Sequence, residues 1–172
     1  IGTQTPRAKL DVLGRVYIEQ QGTDWNQTTP GQARGALHFD PVGNQADNTG
    51  NAITFGASDS SAGSTAMSGI YTRSDGSYGS KMYFATTDSY ASGSKMRMMI
   101  DFNGNVGIGP TSPAGKFHVN AGTNRNLRIT SGVQSTTGID IQSVNDAVNA
   151  NAPLTLSGSL IAMMEGNVGI GT

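Results

Sequence analysis

"NGNVGIGPTSP" occupies residues 103–113, and the reading of this stretch decides the fold. A phosphate-cradling loop is the first candidate, because glycines recur at short intervals. A dinucleotide fingerprint needs G-x-G-x-x-G at the start of a helix; here Gly104, Gly107 and Gly109 give G-x-x-G-x-G, and Pro110 and Pro113 follow. No Lys-Ser/Thr pair follows the last glycine, which removes a P-loop. "DFNGNVG" (101–107) spaces Asp101, Asn103 and Asn105 as a calcium loop would, but Val106 stands where that loop requires Gly and Ser112 where it requires Glu. The stretch reads instead as a β-hairpin: "RMMIDF" (97–102), a turn at Asn103-Gly104, and the return strand "NVGIG" (105–109). In that return strand Val106 and Ile108 share one face, while Gly107 and Gly109 leave the other bare. A bare face is expected to admit a neighbouring backbone.

The motif recurs. "EGNVGIGT" closes the chain at 165–172, and "IGTQTPRAKLDV" (1–12) aligns with "IGPTSPAGKFHV" (108–119), Ile, Gly, Pro, Lys and Val coinciding. The copies divide the chain into a first unit (1–107), a shorter second unit (108–169) and the start of a third (170–172). The first unit is 107 residues long against 62 for the second, so an insertion is placed within about 20–95. Residues 7–20 alone would pass for an amphipathic helix. What both copies share is alternation, Leu10/Val12 and Phe117/Val119 with polar residues between, which predicts a strand with one buried face. Further strands are expected at 15–19, 35–39, 51–56, 66–73, 80–86, 95–102, 105–109, 116–120, 126–130, 138–143, 153–157 and 159–164, between clusters of Gly, Ser, Asn and Asp. The fold class is all-β.

Composition agrees. Only 35% of the 172 residues are hydrophobic and 13% charged, against roughly 45–50% and 25% in ordinary globular domains. Such a chain builds a thin core alone, so burial between chains is expected. A net charge of −1 offers no basic excess for nucleic acid or an anionic membrane. No apolar run is long enough to span a bilayer. Cysteine is absent, which removes disulfides and thiolate metal sites.

Gly104–Gly109 with Thr111, Ser112, Pro113, Lys116, Phe117 and Val119 resembles the "GNVGIGTTSPxxKLxV"-type tandem shaft repeats of bacteriophage tail fibres and related virion appendage fibres. Ile1–Val12 and Gly166–Thr172 match as partial copies, and Pro110 departs from the Thr of the other two. The resemblance implies an elongated fibre of tandem β modules, hairpins plus a small β-sandwich-like insertion, in an intertwined homotrimer. It implies a virion location outside the cell, structural and adhesive work in host attachment, and partners that are copies of the chain, adjoining fibre segments and a host surface polysaccharide or protein receptor. The expected trimer core is Leu10, Val12, Val106, Ile108, Phe117, Val119, Val168 and Ile170, with Gly107 and Gly109 beside it.

Catalytic chemistry finds little to stand on. Asp40 with Asp47, or Asp59 with Asp75, are the pairs that would serve a polysaccharide-degrading spike, yet turn formation accounts for each of these Asp residues. No enzyme activity, cofactor or metal is expected. His118 occupies the polar slot between Phe117 and Val119 and is read as solvent-facing or hydrogen-bonded between chains, as is His38. The methionines of "KMRMMIDF" (95–102) and "LIAMME" (160–165) read as core filler. Trp25, Tyr71, Tyr78 and Tyr90 lie in the insertion amid small polar residues. They are candidate glycan or receptor contacts, because such rings pair an apolar face with a wet edge; a secreted lectin-like sandwich would use them the same way.

Overall fold

A computed structural model of the chain describes residues 4–6, 8–19, 22, 27–32, 37–39, 49–56, 66–77, 79–89, 92–131 and 138–155. Two compact units are present, Ile1–Val42 and Gly43–Thr172. The repeat boundary at 107/108 is thus a period of the sequence rather than the edge of a compact unit.

In the first unit the regular element is a 3₁₀ turn at Pro30–Gln32. The strands expected at 10–12 and 15–19 are absent: residues 8–19 have no regular structure, and Leu10 is exposed. The reason is pairing. A strand persists only with ladder partners, and no strand flanks these residues among those described.

Among its described residues the second unit is one sheet of eight strands laid side by side in chain order. They are β1 (Ala52–Phe55), β2 (Ser68–Ser74), β3 (Ser80–Thr86), β4 (Lys95–Ile100), β5 (Val106–Ile108), β6 (Phe117–Asn120), β7 (Asn126–Ser131) and β8 (Ile139–Val144). The protein is therefore all-β, and eight of the strands expected from alternation and turn residues are present. The insertion's described strands, β1 to β3, extend the same sheet that holds the glycine motif.

The β4–β5 hairpin is present, with Met99 opposite Gly107. Its turn is displaced by one residue from Asn103-Gly104. The Gly104 N–H donates to the Asp101 carbonyl at 2.9 Å, making Phe102 and Asn103 the central pair, and Gly104 follows with φ +72°. Glycine takes that left-handed position without steric cost. Asp101 fixes the register, since its Oδ1 accepts the N–H groups of Asn103 and Asn105, each at 2.9 Å. Asp75 repeats the device between β2 and β3, accepting Ser77 and Gly79 N–H at 2.8 Å each.

All neighbouring strands are antiparallel except β5 and β6, which run parallel. Parallel neighbours ordinarily need a crossover of about a dozen residues or more. Residues 109–116 achieve it because β5 is only three residues long and the connector crosses its face. A Cβ built on Gly107 would lie 2.9 Å from Pro113 Cγ and 3.0 Å from the Pro110 carbonyl oxygen. The bare glycine face is therefore filled by the chain's own prolines. The connector is tied down: the Ala114 N–H donates to His118 Nδ1 at 3.2 Å, and Arg128 Nη1 donates to the Ala114 carbonyl at 3.1 Å.

His118 is accordingly buried, 4% exposed, and its partners are in its own chain. Because Nδ1 accepts from Ala114, the ring proton sits on Nε2 and is donated to Asn126 Oδ1 at 3.1 Å. Asn126, 2% exposed, also receives Asn120 Nδ2 at 2.8 Å and donates its own Nδ2 to Asp146 Oδ1 at 2.9 Å. A buried polar network of this kind is stable only when every member is partnered. Asn126→Leu removes the shared member, leaving the buried His118 Nε2–H without its acceptor and taking one amide donor from Asp146, so a loss of about 1–3 kcal/mol is expected. The urea midpoint reads it; an unchanged midpoint would show the network to be dispensable.

Candidate functional site

The two sides of the sheet differ in kind. On one side lie Gly69, Ala85, Met99, Gly107, His118, Asn126, Gln142 and Val144, all buried. On the other, the strand register lines up two apolar rows. The first runs Ile53–Ile70–Phe84–Met98–Ile108–Val119–Leu127 across seven strands. The second runs Met82–Ile100–Val106–Phe117–Ile129–Ile141 across six. No polar side chain interrupts either row. A bulge keeps them aligned: Arg97 is the extra residue between Met96, opposite Ala85, and Met98, opposite Phe84.

Ile53, Met82, Ile108 and Ile141 are exposed, Ile108 at 40%, and the other nine are half-buried. A sheet face normally packs against a second layer. Four of the residues expected in a trimer core meet here: Val106 lies opposite Phe117, and Ile108 opposite Val119. Leu10 and Val12 belong to the first unit, and Val168 and Ile170 lie outside the described residues. Gly107 lies in β5 against the crossover, and Gly109 begins the crossover. A Cβ on Gly109, at φ +95°, would meet the Asn120 carbonyl oxygen at 3.2 Å.

Of the four aromatic contacts expected from the sequence, Tyr71 is described; Trp25, Tyr78 and Tyr90 lie outside the described residues. Tyr71 stands beside Tyr83, its register partner on β3, in a cleft of about 440 Å³ that Asn51, Arg73, Met96 and Thr111 also line. Its hydroxyl shares a 2.7 Å hydrogen bond with Ser94 Oγ, which fixes the ring. Tyr83 was legible only as a strand residue, since nothing in the sequence says which tyrosines become neighbours. The cleft offers two ring systems, a guanidinium and amide groups, a set suited to stacking and hydrogen bonding rather than to bond cleavage.

Of the carboxylate pairs, Asp40, Asp47 and Asp59 lie outside the described residues, and Asp75 holds its turn. Among the described residues no cluster of three His, Cys, Asp or Glu is placed to hold a metal ion. Asp88 accepts Lys95 Nζ at 2.9 Å and Arg97 Nη2 at 3.5 Å, and the Lys95 hydrogen bond holds its carboxyl below the usual range. Asp146 is lowered chiefly by the Asn126 amide, then by the Asn124 N–H and the Asn120 amide, against a smaller opposing effect of burial. Depressed carboxylates contribute stability above their unfolded value and lose it as pH falls through the folded one. Melting temperature is thus expected to hold down to about pH 3.9 and to decline below it. Asp146→Asn should flatten that decline, and a wild-type slope in the variant would locate the effect elsewhere.

A scan of protein-family models and a search of curated proteins gave no match to this chain.

Proposed function

We propose that this chain is a shaft segment of an extracellular attachment fibre, in which three copies pack their apolar sheet faces together about a common axis. One observation carries the reading: thirteen apolar residues in two unbroken rows lie across one face of the described sheet, with Val106, Ile108, Phe117 and Val119 at the centre. The likeness of the glycine motif to tail-fibre shaft repeats supports the choice of three copies and of a virion appendage. The work is mechanical and adhesive, with no reaction catalysed. Parallel pairing of β5 and β6 lets the motif carry the chain forward along the shaft axis instead of folding it back. The Tyr71–Tyr83 cleft is the place where such a shaft would meet a host surface polymer, the tyrosine faces stacking on sugar rings.

Sedimentation equilibrium tests the assembly directly. Three chain masses, independent of dilution through the micromolar range, are expected. A monomer that keeps its β spectrum would overturn the proposal, because the apolar face would then be stable in water unaided.

A further inference from the structure

On the buried side of β7 and β8 a second cavity, of about 260 Å³, is lined by Arg128, Gln142, Val144, Val148, Asn149 and Asn151. Gln142 is 8% exposed, and its Nε2 has no hydrogen-bond partner among the described residues. Its orientation is fixed, because Oε1 accepts Arg128 Nε at 2.7 Å. Turning the amide over would set two donors against each other. Arg128 gives Nε to Gln142 and Nη1 to the Ala114 carbonyl; its Nη2 takes part in neither bond. Both ion pairs shown belong to Asp88, and no carboxylate pairs with Arg128 among the described residues. The far wall is firm: Asn145 Oδ1 accepts the N–H groups of Asn149 and Ala150, at 3.1 and 3.3 Å, and Val148 is held at φ +57°.

The cavity therefore presents a buried amide donor and an unpaired guanidinium side by side. A water molecule would satisfy the amide but leave the charge unopposed. We propose that Arg128 and Gln142 form a binding site for a single oxyanion, one oxygen taken by Gln142 Nε2 and another by the guanidinium. The planar guanidinium fork suits carboxylate, phosphate and sulfate alike. Two sources share this chemistry, a free inorganic anion and the carboxylate of an acidic sugar. Asp140, two residues along β8, is not among the residues that line the cavity.

The test is a nuclear magnetic resonance titration of the full chain, following the Gln142 side-chain amide, with sodium phosphate and sodium glucuronate at constant ionic strength and sodium chloride as control. Saturable shifts with both probes, absent with chloride, are expected. Saturation with glucuronate alone would assign the site to an acidic sugar, and with phosphate alone to a free anion. Shifts that match the chloride control for both probes would overturn the proposal. Gln142→Glu supplies the missing carboxylate oxygen from the chain itself, next to Arg128. It is expected to keep the fold, with an unchanged or higher melting temperature, and to weaken probe binding at least about tenfold. Binding at wild-type strength in that folded variant would equally sink the site.

Discussion

If the proposed assembly holds, Ile108→Lys is expected to convert three-chain assemblies into single chains while leaving each chain folded. Ile108 sits in the middle of the first apolar row, between Met98 on β4 and Val119 on β6. In one chain the position is 40% exposed, so a lysine stem would lie along the sheet and keep its ammonium in water. Substitutions at such places usually change stability by less than about 0.5 kcal/mol. At a threefold interface the same side chain would bring three ammonium groups together in an apolar contact. Removing even one unpaired charge from water costs several kcal/mol, on the order of 3–5 in measured cases of broken buried pairs. The two effects differ by enough to decide the matter. Sedimentation should fall from three chain masses to one, with the far-ultraviolet β signal retained. Asn103→Lys, at the exposed hairpin turn, carries the same charge and should leave the mass unchanged. An Ile108→Lys variant that still sediments as a trimer would mean the apolar face is not the interface.

The face that carries this prediction was half legible from the sequence. Alternation in "NVGIG" and "KFHV" correctly put Val106 with Ile108 and Phe117 with Val119, because period-two patterning is a local property of an extended chain. What local pattern cannot give is which strands adjoin. The parallel step from β5 to β6 joins the two pairs into one surface, and eight connecting residues are fewer than parallel neighbours ordinarily need. The same connector explains why His118 was misread. A polar residue in an alternating strand implies a solvent-facing side, yet here that side lies beneath the connector, and His118, Asn126 and Asp146 hydrogen-bond one another instead. The first copy failed differently. Its alternation at Leu10 and Val12 is as good as that of Phe117 and Val119, but β6 is held between β5 and β7, and no such neighbours flank residues 10–12 among those described. Arg128 and Gln142 gave no sequence signal at all, since their pairing depends on β7–β8 register.

Gly107→Val is expected to lower the stability of the single chain, and only through that its assembly. The sequence alone assigned the bare glycine face to a neighbouring chain. In the structure a Cβ at this position would lie 2.9 Å from Pro113 Cγ, 3.0 Å from the Pro110 carbonyl oxygen and 3.3 Å from Pro110 Cγ. The first is closer than real Cβ contacts come, the other two are tighter than most, and valine adds two further carbons. Relief requires lifting the connector, which carries the Ala114 bonds to His118 and Arg128 with it. Overpacking of this kind typically costs about 1–3 kcal/mol, and the lost hydrogen bonds add to it. The decisive comparison is made in the Ile108→Lys background, where the chains are expected to be separate. Residues 107 and 108 point to opposite sides of β5, so the two side chains act on different faces of the sheet. If Gly107→Val lowers the urea midpoint of that monomer as much as it lowers that of the assembled protein, the glycine serves its own prolines. An effect that vanished in the monomer would return the glycine to the interface between chains.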